Sequence, residues 1–296
     1  MEVVFLGTAA MVPTKERNHS AVFLSYKNEG LLFDCGEGTQ RQLKIAGITV
    51  TKLTRIFITH WHGDHVLGLL GVLQTLGANE YTGNLEIYAP KGCKRFFENM
   101  CQGLVFDFRI NMEFFEVESG TICETKDFYV ECAKMEHGIP CIGFAFVEKD
   151  RRKINMSSAK KLGLTEGPLI GDLQDGKTVE FNGKKIKPDD VSEIIKGRRV
   201  AYVTDTRPNA NCNKLAKEAD LFICESSYAS DLAEKAEEYH HMTASEAAQL
   251  ANKNKVKKLI LTHFSARYKN TLTVEEDART YFNNVLCAKD FMRVNV

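Results

Sequence analysis

Four potential metal ligands fall within six residues of one another: His60, His62, Asp64 and His65, in the run Thr59-His60-Trp61-His62-Gly63-Asp64-His65. Three imidazoles and a carboxylate set side by side are costly to desolvate without a shared partner, and a cation is the partner they suit. In an extended loop, residues i and i+2 face the same way, so His60 and His62 can grip one ion. Asp64 and His65 then turn toward a second as a helix begins near Val66. The spacing differs from the helical H-E-x-x-H arrangement, whose histidines sit at i and i+4. A zinc takes three or four protein ligands and a pair takes more, so the rest of the chain must contribute. His137, Asp205 and His263 each fall just past a predicted strand. Singly, each reads as a cap or a satisfied polar group; with the first cluster they form one convergent rim.

The elements that must position these residues are short. Bounded β-branched and aromatic runs predict strands at 3–6, 21–26, 31–33, 55–59, 85–89, 112–117, 128–134 and 141–147, then at 199–203, 221–224 and 258–261. Helices are predicted at 39–46, 66–76 and 94–101, and later at 214–219, 243–254 and 274–285. A strand-rich first half followed by strand–helix alternation implies an α/β fold, with two sheets packed together and helices outside.

Composition bounds the partners. The 296 residues carry 39 Lys plus Arg against 39 Asp plus Glu, with 44% hydrophobic and 26% charged residues. This is the balance of a soluble globular protein and excludes one that is basic all over. A local basic patch stays open, because a partner feels the local field and not the sum. Residues 149–199 supply one: thirteen basic against eight acidic residues, a net +5 that the remainder cancels with −5. The nine cysteines are odd in number and scattered, with no C-x-x-C pair, which fits reduced thiols rather than a disulfide framework or a Cys-type zinc site. The start lacks a basic region before its apolar residues, and no apolar run reaches the roughly 18 residues of a membrane span. A cytoplasmic protein with no membrane association is expected.

The loop holding His60, His62, Asp64 and His65 resembles the signature of the metallo-β-lactamase fold, an αββα four-layer sandwich. Further stretches are similar to the tRNase Z family, the endonucleases that trim tRNA 3′ ends. They are Phe33-Asp34-Cys35-Gly36-Glu37-Gly38-Thr39-Gln40-Arg41-Gln42, Pro13-Thr14-Lys15-Glu16-Arg17-Asn18 and His137-Gly138-Ile139-Pro140-Cys141-Ile142-Gly143, with Asp205-Thr206-Arg207-Pro208 and Thr262-His263-Phe264-Ser265-Ala266-Arg267-Tyr268. The similarity runs from residue 1 to about 268, and the 13–18 loop is its most specific part.

The resemblance implies two zinc ions per chain: His60, His62 and His137 on one, Asp64, His65 and His263 on the other, and Asp205 bridging. Imidazole and carboxylate ligands also suit manganese or iron. Asp34 would orient the metal loop. Two such ions lower the pKa of a bound water, from 15.7 to about 7 at a single zinc, and stabilise charge on transition-state oxygens. Asp64 would also accept the water's proton. Glu225 and His241 would form the relay that protonates the leaving O3′, with Glu225 raising the pKa of His241. The family's His-Glu-Ala-Thr stands here as Cys224-Glu225-Ser226-Ser227. Thr243 suits a helix N-cap; His240 reads as solvent-exposed, and His19 has no assigned role.

The expected domain is a single metallo-β-lactamase fold over 1–296, with 149–199 inserted as a protruding tRNA-binding arm. Gly167-Pro168 resembles the glycine-proline turn of that arm, and Lys160, Lys161, Lys184 and Lys185 would meet phosphates without reading sequence. Lys15, Arg17 and Asn18 would handle the RNA 3′ end. The implied partners are precursor tRNA and a second copy in a homodimer. A glyoxalase-like thioesterase, a lactamase or a general metallo-phosphodiesterase shares residues 60–65 but accounts for neither the 13–18 loop nor the basic insertion. A diiron redox protein conflicts with His62, and a non-catalytic RNA-binding homologue would have lost ligands.

Overall fold

Alternation within the strands decides the layering. In the first sheet, Leu32, Ile56 and Ile58 belong to one apolar cluster with Leu43, Leu69, Val72, Leu73 and Leu76 of the covering helices. Their neighbours Phe33 and Phe57 point the other way and meet Phe144 of the second sheet, at ring separations of 5.9 and 5.4 Å. Successive side chains of a strand face opposite sides, so each strand serves both the helix layer and the inter-sheet core. The computed structural model describes residues 1–105 and 109–296. Its residues form two compact units: 1–124 with 130–146 and 199–296, and 125–129 with 147–198.

The first unit carries two sheets of seven strands. One runs Arg293–Asn295, Glu2–Gly7, Ala21–Tyr26, Glu29–Phe33, Leu53–Phe57, Asn84–Pro90 and Asn111–Val117 in spatial order. The other runs Val285–Cys287, Leu259–Thr262, Leu221–Glu225, Arg199–Val203, Ile142–Glu148, Phe128–Lys134 and Gly120–Glu124. Helices Thr39–Ile45 and Leu69–Ala78 back the first sheet, and Ala210–Ala216 and Ala244–Lys253 back the second. This is the αββα layering expected from the sequence. Strands Leu53–Phe57, Arg199–Val203, Leu221–Glu225 and Leu259–Thr262 lie in parallel pairings. Their carboxyl ends lead to His60, Asp205, Glu225 and His263, the end at which parallel α/β sheets collect ligands.

Several boundaries differ from expectation. The helix predicted over 66–76 is broken into Gly63–Val66 and Leu69–Ala78. The break lies where Gly68 passes the turn after strand Glu29–Phe33 so closely that a Cβ on it would stand 2.1 Å from the Gly36 carbonyl oxygen. The helix predicted at 214–219 is Ala210–Ala216, started by Asn209, whose side chain accepts from the amides of Asn211 and Cys212. The one predicted at 274–285 ends at Arg279, and Val285–Cys287 is a strand. Edge strands Gly120–Glu124 and Arg293–Asn295 have too few apolar residues to stand out in the sequence.

The second unit has a core of its own. Strands Arg151–Ile154 and Ser192–Ile195 pair antiparallel, as do Val179–Phe181 and Lys184–Ile186. Helices Met156–Lys161 and Pro168–Gln174 bury Ala159, Ile170 and Leu173 against Leu164, Val179, Ile186 and Val191. Segment 149–199 lacks long apolar runs because its core is built from singly spaced residues. Among the described residues, no helix is long and apolar enough to cross a membrane.

Candidate metal centre

The seven residues expected to ligate metal converge in the first unit. His62 Nδ1 lies 3.0 Å from His60 Nε2 and 3.3 Å from His137 Nε2. In a second group, His65 Nε2 and His263 Nε2 are 3.3 Å apart, and Asp64 Oδ2 is 3.3 and 3.5 Å from them. Asp205 faces both groups: its Oδ1 is 3.9 Å from His60 Nε2, and its Oδ2 is 3.2 Å from His65 Nε2 and 3.3 Å from His263 Nε2. The ligand-capable atoms of His60, His62 and His137, and those of Asp64, His65 and His263, each lie within 4.8 Å of one another.

The outer face of these rings shows what the inner face suits. His60 Nδ1 is 3.1 Å from Thr59 Oγ1, His65 Nδ1 is 2.8 Å from Asp34 Oδ2, and His263 Nδ1 is 3.0 Å from Ser227 Oγ. Acceptors on the outer nitrogens leave the inner nitrogens as lone pairs pointing at one another, an arrangement that calls for a cation. Burial, with His65 beside it, pushes His60 well below its ordinary pKa. Burial opposes charge on His65 too, but Asp205, Asp34 and Asp64 outweigh it and raise that ring. The histidines around Asp205 likewise overcome its burial and hold it far below the carboxylate range. Thiolates take no part: burial pushes Cys35 up to about 12 and Cys141 well above its ordinary value. The nitrogen and oxygen donor set therefore fits a divalent metal.

Three residues of the site hold left-handed backbone at strand ends, with φ of 56° at Asp34, 52° at Asp205 and 59° at His263. Such conformations cost about 1–3 kcal/mol each and persist only where their surroundings over-determine them. Asp34 is pinned thoroughly: Oδ1 accepts from the Thr59 amide at 2.8 Å and the Thr59 hydroxyl at 2.9 Å, and Oδ2 accepts from Tyr202 at 2.9 Å. Asp64 Oδ2 accepts from the Met11 amide at 2.8 Å, which ties the loop before residue 13 to the site.

Beside the ligands, His241 Nδ1 stands 3.0 Å from Glu225 Oε2. Glu225 is fully buried and its Oε1 accepts from the Thr206 amide at 2.6 Å. Burial works against charge on His241, but Glu225 and then Asp205 outweigh it and raise its pKa to about 9. Thr243 caps helix Ala244–Lys253 in a reciprocal pair with Glu246, fixing the chain just past His241.

The model of the metallo-β-lactamase superfamily matches residues 14–263. Over its whole length the chain is 44% identical to ribonuclease Z of Methanothermobacter thermautotrophicus, covering 97% of that protein, and 39% identical to ribonuclease Z of Methanosarcina mazei, covering 98%. The chain belongs to the ribonuclease Z family. The human short-form tRNase Z superposes with a TM-score of 0.74 at 29% identity, covering 100% of this chain and 99% of that one. YhfI of Bacillus subtilis, at 17% identity and a TM-score of 0.71, shares the fold.

The other residues singled out from the family pattern lie in varied surroundings. Lys15 is exposed, whereas Arg17 is buried and donates through Nη2 to the Tyr268 carbonyl at 2.7 Å. Asn18 is tied down by its amide to Asp290 Oδ2 and by its side chain to the Glu37 carbonyl, both at 2.7 Å. His19, left without a role, is buried with Nε2 3.0 Å from the Met11 carbonyl, so it shapes the same loop; His240 is exposed. Gly167 opens helix Pro168–Gln174, with Pro168 at its first position. Lys160, Lys161, Lys184 and Lys185 are exposed on the second unit. Sequence reasoning assigned nothing to Ser227, Tyr202 or Asp290. The first stood in a motif quoted for its neighbour, the second lay inside a predicted strand, and the third fell past the last predicted element.

Proposed function

We propose that this chain is a metal-dependent endoribonuclease that cuts precursor tRNA on the 3′ side of the discriminator nucleotide, removing the 3′ trailer and leaving a 3′-hydroxyl on the tRNA. The carrying observation is the full set of converging His and Asp groups with the His241–Glu225 pair beside them, in a chain of this family. The geometry supports two cations, zinc in the first instance, one among His60, His62 and His137, the other among Asp64, His65 and His263, with Asp205 shared. Divalent ions bound there would acidify a water and neutralise charge on the phosphate oxygens.

The chain's own groups then do the rest. Asp64, held by the Met11 amide, accepts a proton as the water's oxygen bonds to phosphorus. The P–O3′ bond breaks on the opposite side, and protonated His241 gives its proton to O3′. Glu225 keeps that imidazole charged until the transfer. Asp34 fixes His65 directly and His60 through the Thr59 hydroxyl.

The second unit supports a role in holding the body of the tRNA. Part of its positive charge is already paired: Arg152 with Asp189, Lys177 with Asp172, Lys196 with Asp150, and Arg198 with Glu148. Lys160, Lys161, Lys184 and Lys185 have no ion pair among the described residues. Three of them, Lys161, Lys184 and Lys185, line a cleft of about 600 Å³ with Phe181 and Asn182. Free lysines of this kind suit phosphates read by position rather than sequence. The homodimer implied by the family resemblance completes the reading, and sedimentation tests it.

The deciding experiment is cleavage of a 3′-extended precursor tRNA, with bis(p-nitrophenyl) phosphate as the comparison. Cleavage at the discriminator that is lost on chelation is the expected result. Hydrolysis of the small diester alone would instead make the chain a general phosphodiesterase.

A further inference from the structure

We propose that Tyr202 is a positioning residue for the metal centre, its hydroxyl locking the sheet that carries Asp205 in register with the sheet that carries His60 and His65. The inference rests on the metal reading of the site and is independent of which RNA is cut.

The two halves of the site come from different sheets. His60 and His65 follow strand Leu53–Phe57 of the first sheet, whereas Asp205 follows strand Arg199–Val203 of the second. Ligand groups must be placed to within a few tenths of an ångström for a metal, and inter-sheet packing by apolar side chains is not that specific. Directional contacts between the halves are therefore needed: the Ile142 amide donates to the Thr59 carbonyl at 2.9 Å, and Tyr202 makes the contact that reaches Asp34. It lies on the second-sheet strand, three residues before Asp205, and donates to Asp34 Oδ2 at 2.9 Å across 168 residues of sequence. Asp34 sits at the end of first-sheet strand Glu29–Phe33.

Asp34 spreads that contact to both ligand groups. The oxygen that accepts from Tyr202 is the one lying 2.8 Å from His65 Nδ1. The other accepts the Thr59 hydroxyl at 2.9 Å, which stands 3.1 Å from His60 Nδ1. Among the described residues, Tyr202 provides the one hydrogen bond that Asp34 receives from the second sheet. The phenol ring is placed independently of its hydroxyl: it is 2% exposed and packs at 5.6 Å on the ring of Phe33. Removing the oxygen alone thus leaves the ring seated and cuts the carboxylate's bond to the second sheet, while its bonds to Thr59 and His65 remain.

The test uses the full chain stripped of metal and titrated with zinc against a competing fluorescent chelator. Tyr202→Phe is expected to bind zinc about 10–100-fold more weakly, the usual effect of losing a partner that orients a ligand. Asp34→Asn should weaken binding as well, and adding Tyr202→Phe to it should cost nothing further, since the hydroxyl acts through that carboxylate. Phe33→Leu, which disturbs the same packing without touching Asp34, should keep its zinc affinity even if its metal-free melting temperature falls. Unchanged affinity in Tyr202→Phe, additive losses in the double variant, or an equal loss in Phe33→Leu would each overturn the assignment. If the unaltered chain takes up no zinc, manganese or iron, the metal reading itself fails and this inference with it.

Discussion

His241 Nδ1 and Glu225 Oε2 lie 3.0 Å apart, with the carboxylate fully buried and the imidazole only partly so. A buried carboxylate left without a counter-charge is costly, so this one holds a proton on its neighbour. The second carboxylate of the neighbourhood, Asp205, has its Oδ1 3.7 Å from the same nitrogen and 3.9 Å from His60 Nε2. The pair thus offers a mobile proton, although the imidazole also stands with Asp205 and His263 in a group whose ligand-capable atoms lie within 4.8 Å of one another.

His241→Ala should therefore lower turnover by about 10²–10⁴-fold, the range for a lost general acid. The metal content per chain should stay unchanged. Kinetics paired with elemental analysis check both. Loss of zinc along with activity would make His241 a ligand and remove it from the relay.

The pH profile should report the same pair. A group raised to about 9 is protonated below that value and loses its proton as pH climbs through it. The acid is thus present at neutral pH, and turnover should fall on the alkaline side. Glu225→Gln removes the charge that holds the proton on, so the alkaline limb should move to lower pH. A limb in the same place for both enzymes would assign it to some other group.

Asp205→Ala should reduce bound metal below two per chain, because each of its oxygens faces a different group of ligands. Two metals per chain in that variant, measured on dialysed protein, would rule out the shared role. The variant should also relax the strained backbone there, since φ of 52° is tolerated only while the side chain is held.

How much of this was legible in the sequence follows from distance along the chain. His60, His62, Asp64 and His65 sit together, and no structural role explains such crowding. His137, Asp205 and His263 were visible because each ends a short apolar run, the signature of a strand feeding one rim. Tyr202 was hidden inside such a run, Val200-Ala201-Tyr202-Val203, where an aromatic ring reads as core. Its core ring was real; its hydroxyl partner lies 168 residues away and no local pattern records it. Gly68 breaks the predicted helix for a similar reason, the approach of Gly36 from another element. In residues 149–199 the periodicity was too sparse to predict elements, because single residues such as Ala159, Leu173 and Val191 supply the core.

That independent core also shapes the test of RNA binding. Excising residues from the middle of the second unit would unfold it, so substitution of exposed side chains is the cleaner experiment. Lys161, Lys184 and Lys185 line one cleft, and the one carboxylate lining it among the described residues belongs to Asp190, whose Oδ2 already accepts from the Lys187 amide at 2.7 Å. Replacing the three lysines with Ala should leave folding intact, since exposed charges away from such bonds contribute little to stability. It should raise KM for precursor tRNA far more than it changes kcat. It should also flatten the dependence of log K on log salt by about 0.7–0.9 for each phosphate that is no longer neutralised. Binding measured across a salt series reads that slope directly. A triple variant with an unaltered slope would move the tRNA-binding surface off this cleft and onto another face.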